Sequence, residues 1–120
     1  MLTVSEGVCT ALGASCELNY VNGYPATINS VTETDISAKA AIDLVGEDEV
    51  VRNPTPSMGS EDFSYMLQAR PGCYVWLGIG PGEGDHVCTL HSSNYDFNDD
   101  VLPIGAAYWA TLVENELPNA

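Results

Sequence analysis

Positive charge is what this 120-residue sequence has least of. Lys39, Arg52 and Arg70 are its only cations, set against 17 Asp and Glu, for a formal net charge of -14. So acidic a surface repels phosphate backbones and anionic headgroups, which excludes nucleic acid and membrane as partners. Long apolar runs are missing too, since no stretch approaches the ~20 residues that cross a bilayer. The first residues lack the basic-then-apolar layout of an export signal. Four cysteines (Cys9, Cys16, Cys73 and Cys88) are scattered and form no CxxC. They are therefore expected as free thiols of a cytoplasmic chain rather than as two disulfides. There is no G-x-S-x-G around Ser60 or Ser64, and neither has a histidine or lysine nearby in sequence, so a serine nucleophile is not supported. Gly78, Gly80, Gly82 and Gly84 miss the G-x-G-x-x-G spacing and read as a turn rather than a phosphate loop.

What is present suffices for one ordinary domain. At 45% hydrophobic, a chain of this length can hide roughly two-thirds of its unfolded surface. Val4, Val8 and Leu12 share one helical face that Gly13 stops, and no N-cap residue precedes them, which leads us to expect further chain upstream. Cys16, Leu18 and Tyr20 alternate with Ser15, Glu17 and Asn19 as a strand with one wet face, closed by the turn at Asn22-Gly23. Ser30 and Glu33 match a capping box ahead of a helix through Ile36, Ala40, Ala41, Leu44 and Val45, ending at Gly46. Glu47-Asp48-Glu49 is a solvated charge run, Val50-Val51 a short strand, and Asn53-Pro54-Thr55-Pro56 a loop.

Ser60 is expected to cap the next helix, with Glu61 and Asp62 complementing its dipole and Phe63, Met66 and Leu67 facing inward until Arg70-Pro71-Gly72. Cys73 to Ile79, almost wholly apolar, reads as a strand covered on both faces, and His86 to Leu90 as a second short strand. Asp99-Asp100 begin the last helix, whose wide stripe of Leu102, Ala106, Trp109 and Val113 should pack on a sheet. The expected fold class is α/β, a partial layered sheet with packing helices.

Only two histidines are available for metal chemistry, His86 and His91. His86-x-Cys88-x-x-His91 has the right residue types, but on a strand position 91 faces away from 86 and 88, which argues against a three-ligand site. Cys88 reads as a small buried apolar residue and His86 as a loop side chain. His91 differs, because Asp96, Asn98 and Asp99 follow closely and any of them could orient its imidazole. On pattern alone a satisfied surface histidine still outweighs a ligand.

Three segments together change that balance. Met58-Gly59-Ser60-Glu61-Asp62-Phe63, Tyr74-Val75-Trp76-Leu77-Gly78, and Leu90-His91 leading into Tyr95-Asp96-Phe97-Asn98-Asp99 resemble the C-terminal part of the metal-dependent aminoacylase/carboxypeptidase family. The hippurate hydrolase and N-acyl amino acid amidohydrolase branch is the most similar. Tyr24-Pro25 and Asn29 fit the place where that family's chain leaves an inserted lid. The resemblance implies that residues 1–24 end a lid or dimerisation domain, with its last helix and strand, and that residues 25–120 close a zinc-peptidase-like catalytic domain. It implies His91 as the ligand completing a two-metal site of zinc or manganese, and Met58, Gly59, Ser60, Glu61 and Asp62 as substrate-pocket border. In the family's reaction the metals acidify a water, a glutamate takes its proton, and the metals stabilise the oxyanion. That glutamate and the other ligands lie in the family's N-terminal half, so no catalytic residue is assigned here and the chain alone should be inactive.

The expected partners are thus an N-acyl amino acid or similar small amide, a missing N-terminal half, and a second copy through the lid strand. Two rival expectations are a non-catalytic piece pairing with a separate N-terminal half, and a small metal module built on His86, Cys88 and His91.

Overall fold

The computed structural model describes residues 1–80, 88 and 90–117. Four α-helices are present among them: α1 Leu2–Ala11, α2 Val31–Val45, α3 Phe63–Ala69 and α4 Leu102–Glu116. Short 3₁₀ turns at Glu47–Glu49 and Asp99–Val101 follow α2 and precede α4.

α1 ends as its sequence predicts. Gly13 takes a left-handed φ of 71°, which lets Ala14 N donate to Cys9 O at 2.8 Å and Gly13 N to Thr10 O at 3.1 Å. These two bonds make a Schellman closure, which satisfies carbonyls left open by the last turn. Thr10 Oγ1 bonds back to Glu6 O at 2.7 Å. No α1 residue is buried, and among the described residues α1 packs on no other helix.

α2 starts at the expected place by a different device. Ser30 has the extended N-cap backbone but makes no side-chain cap. Its Oγ accepts instead from Gly72 N at 3.2 Å, while Ser30 N donates to Gly72 O at 2.9 Å. Long-range pairing has displaced the local capping box. Ala40 is fully buried and Ile36, Ala41 and Leu44 are half-buried, but Val45 is exposed. Lys39–Asp43 is an i,i+4 ion pair, and Arg52 pairs with Asp35. The charge run Glu47–Glu49 is solvated, as its composition requires.

α3 begins later than expected, with Asp62 and not Ser60 at the N-cap. Phe63 and Leu67 turn partly inward, whereas Met66 stays 62% exposed. The helix stops at Arg70, whose φ of -149° and ψ of 148° are the extended backbone that a following proline imposes.

The layered sheet expected from the sequence is not found, because no strand occurs among the described residues. Residues 14–21, 50–51 and 73–79 carry no helix and no ladder. A strand exists only where a neighbouring chain segment supplies N–H···O=C partners, and alternation or an apolar run cannot provide them. Residues 73–79 are not covered on both faces either, since Val75, Trp76 and Leu77 are exposed. The strand expected at His86–Leu90 lies outside the described residues except for Cys88 and Leu90, and Leu90 sits in a turn.

The stripe of α4 packs on α2 and not on a sheet. A bond between Ser37, which is buried, and the Tyr108 hydroxyl ties the two helices near their middles. Asn115 Nδ2 donates to Asp43 Oδ2 at 3.0 Å farther along. One face of α4 remains open, with Leu102, Trp109 and Val113 more than half exposed. Among the described residues only Ala40 and Val101 are buried apolar side chains. The Cα radius of gyration is 20.7 Å, whereas a compact domain of this length has about 14 Å. No helix among the described residues is long and apolar enough to cross a membrane.

Candidate functional site

Residues 51–60 are exposed throughout, so Met58, Gly59 and Ser60 lie on the surface ahead of α3. Met58 is 98% exposed. The first fixed group of the segment is Glu61, which is half-buried. Its Oε1 accepts from Phe63 N at 3.2 Å, and its Oε2 accepts from the Tyr74 hydroxyl at 3.0 Å. Ser64, almost fully buried, donates through Oγ to Glu61 O at 2.7 Å.

Tyr74 is held in turn by Asn29, whose Oδ1 accepts from Tyr74 N at 2.8 Å and whose Nδ2 donates to Tyr74 O at 2.9 Å. An amide side chain thus pairs with both backbone groups of one residue, as a neighbouring strand would. Phe63 and Trp76 stand against the Tyr74 ring, with centroids 5.4 and 5.7 Å away. The chain Asn29–Tyr74–Glu61 therefore runs from the head of α2 to the head of α3 through an aromatic cluster.

This geometry decides the carboxylate's chemistry. The Phe63 amide, then the Tyr74 hydroxyl, hold the Glu61 carboxyl below its ordinary range. The Glu61 carboxylate, helped by partial burial and the charge of Asp62, pushes the Tyr74 phenol up. Glu61 is consequently a fixed anion at neutral pH. It can accept hydrogen bonds or attract a cation, but it is poorly matched to donating a proton.

His91 is exposed and takes a φ of 72°, the positive-φ non-glycine residue of the described chain. Such backbone is uncommon for a residue with a Cβ and costs of the order of 1 kcal/mol. The turn after it is built by Ser92, whose O accepts from Tyr95 N at 3.1 Å and whose Oγ accepts from Asn94 N at 3.2 Å. Asn98 is not the expected orienting partner. Its Oδ1 accepts from Asp100 N at 3.0 Å and its Nδ2 donates to Ile79 O at 3.1 Å, so both ends are engaged elsewhere.

No group of three His, Cys, Asp or Glu close enough to hold a metal exists among the described residues. His91 is thus a single potential ligand, and His86, the other imidazole of the module reading, lies outside the described residues. An apolar groove of about 240 Å³ between α2, α4 and residues 72–75 includes none of the expected site residues in its lining.

Sequence reading missed the part played by Tyr74, which looked like one apolar position in a run. The one signal was its hydroxyl, which a half-buried tyrosine must satisfy.

The model of Peptidase family M20/M25/M40 matches residues 2–115. Thermostable carboxypeptidase 1 of Saccharolobus solfataricus is 35% identical over 115 residues, covering 93% of this chain and 28% of that protein. Hippurate hydrolase of Campylobacter jejuni is 30% identical over 109 residues, covering 91% and 27%. IAA-amino acid hydrolase ILR1-like 2 of Arabidopsis thaliana is 39% identical over 88 residues, covering 73% and 20%. The chain spans a quarter to three tenths of the length of the first curated relatives it matches. No solved structure matches it.

Proposed function

From a chain that belongs to peptidase family M20/M25/M40, we propose the C-terminal portion of a metal-dependent amidohydrolase cleaving the amide bond of N-acyl amino acids. The observation that carries this reading is the family match along residues 2–115, and the relative named hippurate hydrolase favours the substrate class. In this reading residues 1–24 end a lid or dimerisation domain, which accords with α1 packing on no other described helix. Residues 25–120 belong to the catalytic domain. The four free thiols accord with a cytoplasmic location.

The family is generally metal-dependent, and a divalent ion, zinc or manganese, supplies a Lewis acid when bound. The described residues do not fit such an ion by themselves, for want of three clustered donors. His91 is assigned one ligand position, supported by its exposure and its left-handed backbone, a conformation that gathers at functional sites. Met58, Gly59, Ser60, Glu61 and Asp62 are assigned to the pocket border. The fixed anion of Glu61 stiffens that border and aims it, while the remaining donors and the general base come from the rest of the enzyme. The exposed apolar side chains of Trp76, Trp109 and Val113 support a large covering partner, either that remainder or a separately encoded N-terminal half.

The test is hydrolysis of N-benzoylglycine in the presence of zinc or manganese. The isolated chain should show none. Joined to the N-terminal three-quarters of the Campylobacter jejuni hippurate hydrolase, in place of the segment it matches there, it should restore turnover. Turnover by the isolated chain, or a joined protein that stays folded yet inactive with both metals, contradicts the reading.

A further inference from the structure

The Schellman closure of α1 has a chemical consequence. Gly13 reverses the chain, and the Ala14 N–H bond to Cys9 O pins the first residue after the reversal to the helix. Two residues later the Cys16 thiol lies against Cys9 and donates to its sulfur, which also holds Cys16 above the usual thiol range. Cys9 is half-buried on the last turns of α1 and Cys16 is exposed, and neither is in a disulfide. The other described thiols sit elsewhere. Cys73 accepts from Asn29 Nδ2 at 3.3 Å near the head of α2, and Cys88 follows the glycine-rich stretch.

We propose that Cys9 and Cys16 form a reversible disulfide that locks the last turn of α1 onto the extended segment after it. The reading is independent of the hydrolase assignment. The oxidant is a low-molecular-weight disulfide such as oxidised glutathione. One cysteine thiolate, most accessibly that of Cys16, attacks a glutathione sulfur and expels one glutathione thiolate. The second cysteine loses its proton, attacks the protein-bound sulfur, forms the Sγ–Sγ bond and expels the second glutathione. The protein pair gives up two electrons and two protons, and the glutathione disulfide takes up both. The helix closure supplies the proximity that makes the second attack intramolecular and fast.

Trypsin gives a clean assay, because cleavage after Lys39 leaves Cys9 and Cys16 as the only cysteines in residues 1–39. The full chain is incubated with excess oxidised glutathione, and the remaining thiols are alkylated. Free thiols should fall from four to two, with residues 1–39 unlabelled and lighter by about 2 Da, the mass of the hydrogens lost on oxidation. Cys9→Ser or Cys16→Ser should abolish the internal link, and Cys73→Ser should leave it intact. In urea the link should form at least about tenfold more slowly, since unfolding removes the preorganisation. Oxidation should also slow hydrogen exchange at the Gly13 and Ala14 amides. A lasting glutathione adduct in place of the link, a bridge to Cys73 or Cys88, equal rates in urea, or unchanged exchange would each overturn the proposal.

Discussion

At the scale of single residues, the organising group is the phenol of Tyr74. It joins an anchored backbone, fixed by Asn29, to the Glu61 carboxylate. Tyr74→Phe removes the bond that ranks second in lowering the Glu61 pKa. Carboxyl NMR should show Glu61 titrating at higher pH in that variant while still below an ordinary glutamate, because the Phe63 amide remains. An unchanged titration would show that the hydroxyl does not bind there in solution. The pH dependence follows in sign. The folded Glu61 pKa is lowered, so its contribution to stability is complete above the ordinary value of about 4.3 and fades as pH falls through the lowered value. The folded Tyr74 pKa is raised, so its contribution is complete below about 10 and fades as pH rises through the raised value. Acid and alkali should therefore each loosen the Glu61–Tyr74 link, and Tyr74→Phe should remove both effects. Asn29→Ala loses both bonds to Tyr74 and should lower stability by about 1–3 kcal/mol, read from urea midpoints.

At the scale of elements, helix ends were legible where one residue decides them. Gly13 and Gly46 stop α1 and α2, and Pro71 ends α3, because each acts on its own backbone and needs no partner. Starts were less legible. Ser30 has the residue type of a cap, yet its hydroxyl serves Gly72, 42 positions away. The expected cap at Ser60 moved to Asp62, since Glu61 and Tyr74 fix the chain just before the helix. Strands were the least legible, since alternation in residues 14–21 and apolarity in 73–79 do not reveal whether a neighbour completes the ladder. Gly13→Ala tests the local account. An added Cβ there meets nothing within 4 Å, so the cost is the left-handed backbone alone, about 1 kcal/mol. Hydrogen exchange at Ala14 should quicken and α1 should lose helicity by circular dichroism. No change would show that the closure is absent in solution. Between α2 and α4, Ser37→Ala removes the buried partner of Tyr108 and should reduce stability by about 1–2 kcal/mol in urea unfolding.

At the scale of the whole molecule, the chain exposes what an enzyme interior hides. Its acidic charge of -14 opposes self-association, while the open face of α4 and the indoles of Trp76 and Trp109 favour it. Raising the salt concentration screens the charge but not the apolar contact, so light scattering should show larger species at 1 M NaCl than at low salt. A strictly salt-independent monomer would argue that the apolar face is covered in solution. The candidate site was legible in part for the same reason that the fold is open. Residues 58–62 and His91 carry their chemistry in residue type and order, whereas a metal cage depends on donors distant in sequence. The measurement that bears most directly on the account is the metal content of the joined hydrolase, wild type against His91→Ala. Elemental analysis after desalting should show the variant losing about one equivalent of zinc per chain, the share of a single ligand position in a shared site. If the folded variant keeps the full wild-type content, His91 is not a metal ligand and the site assignment is wrong.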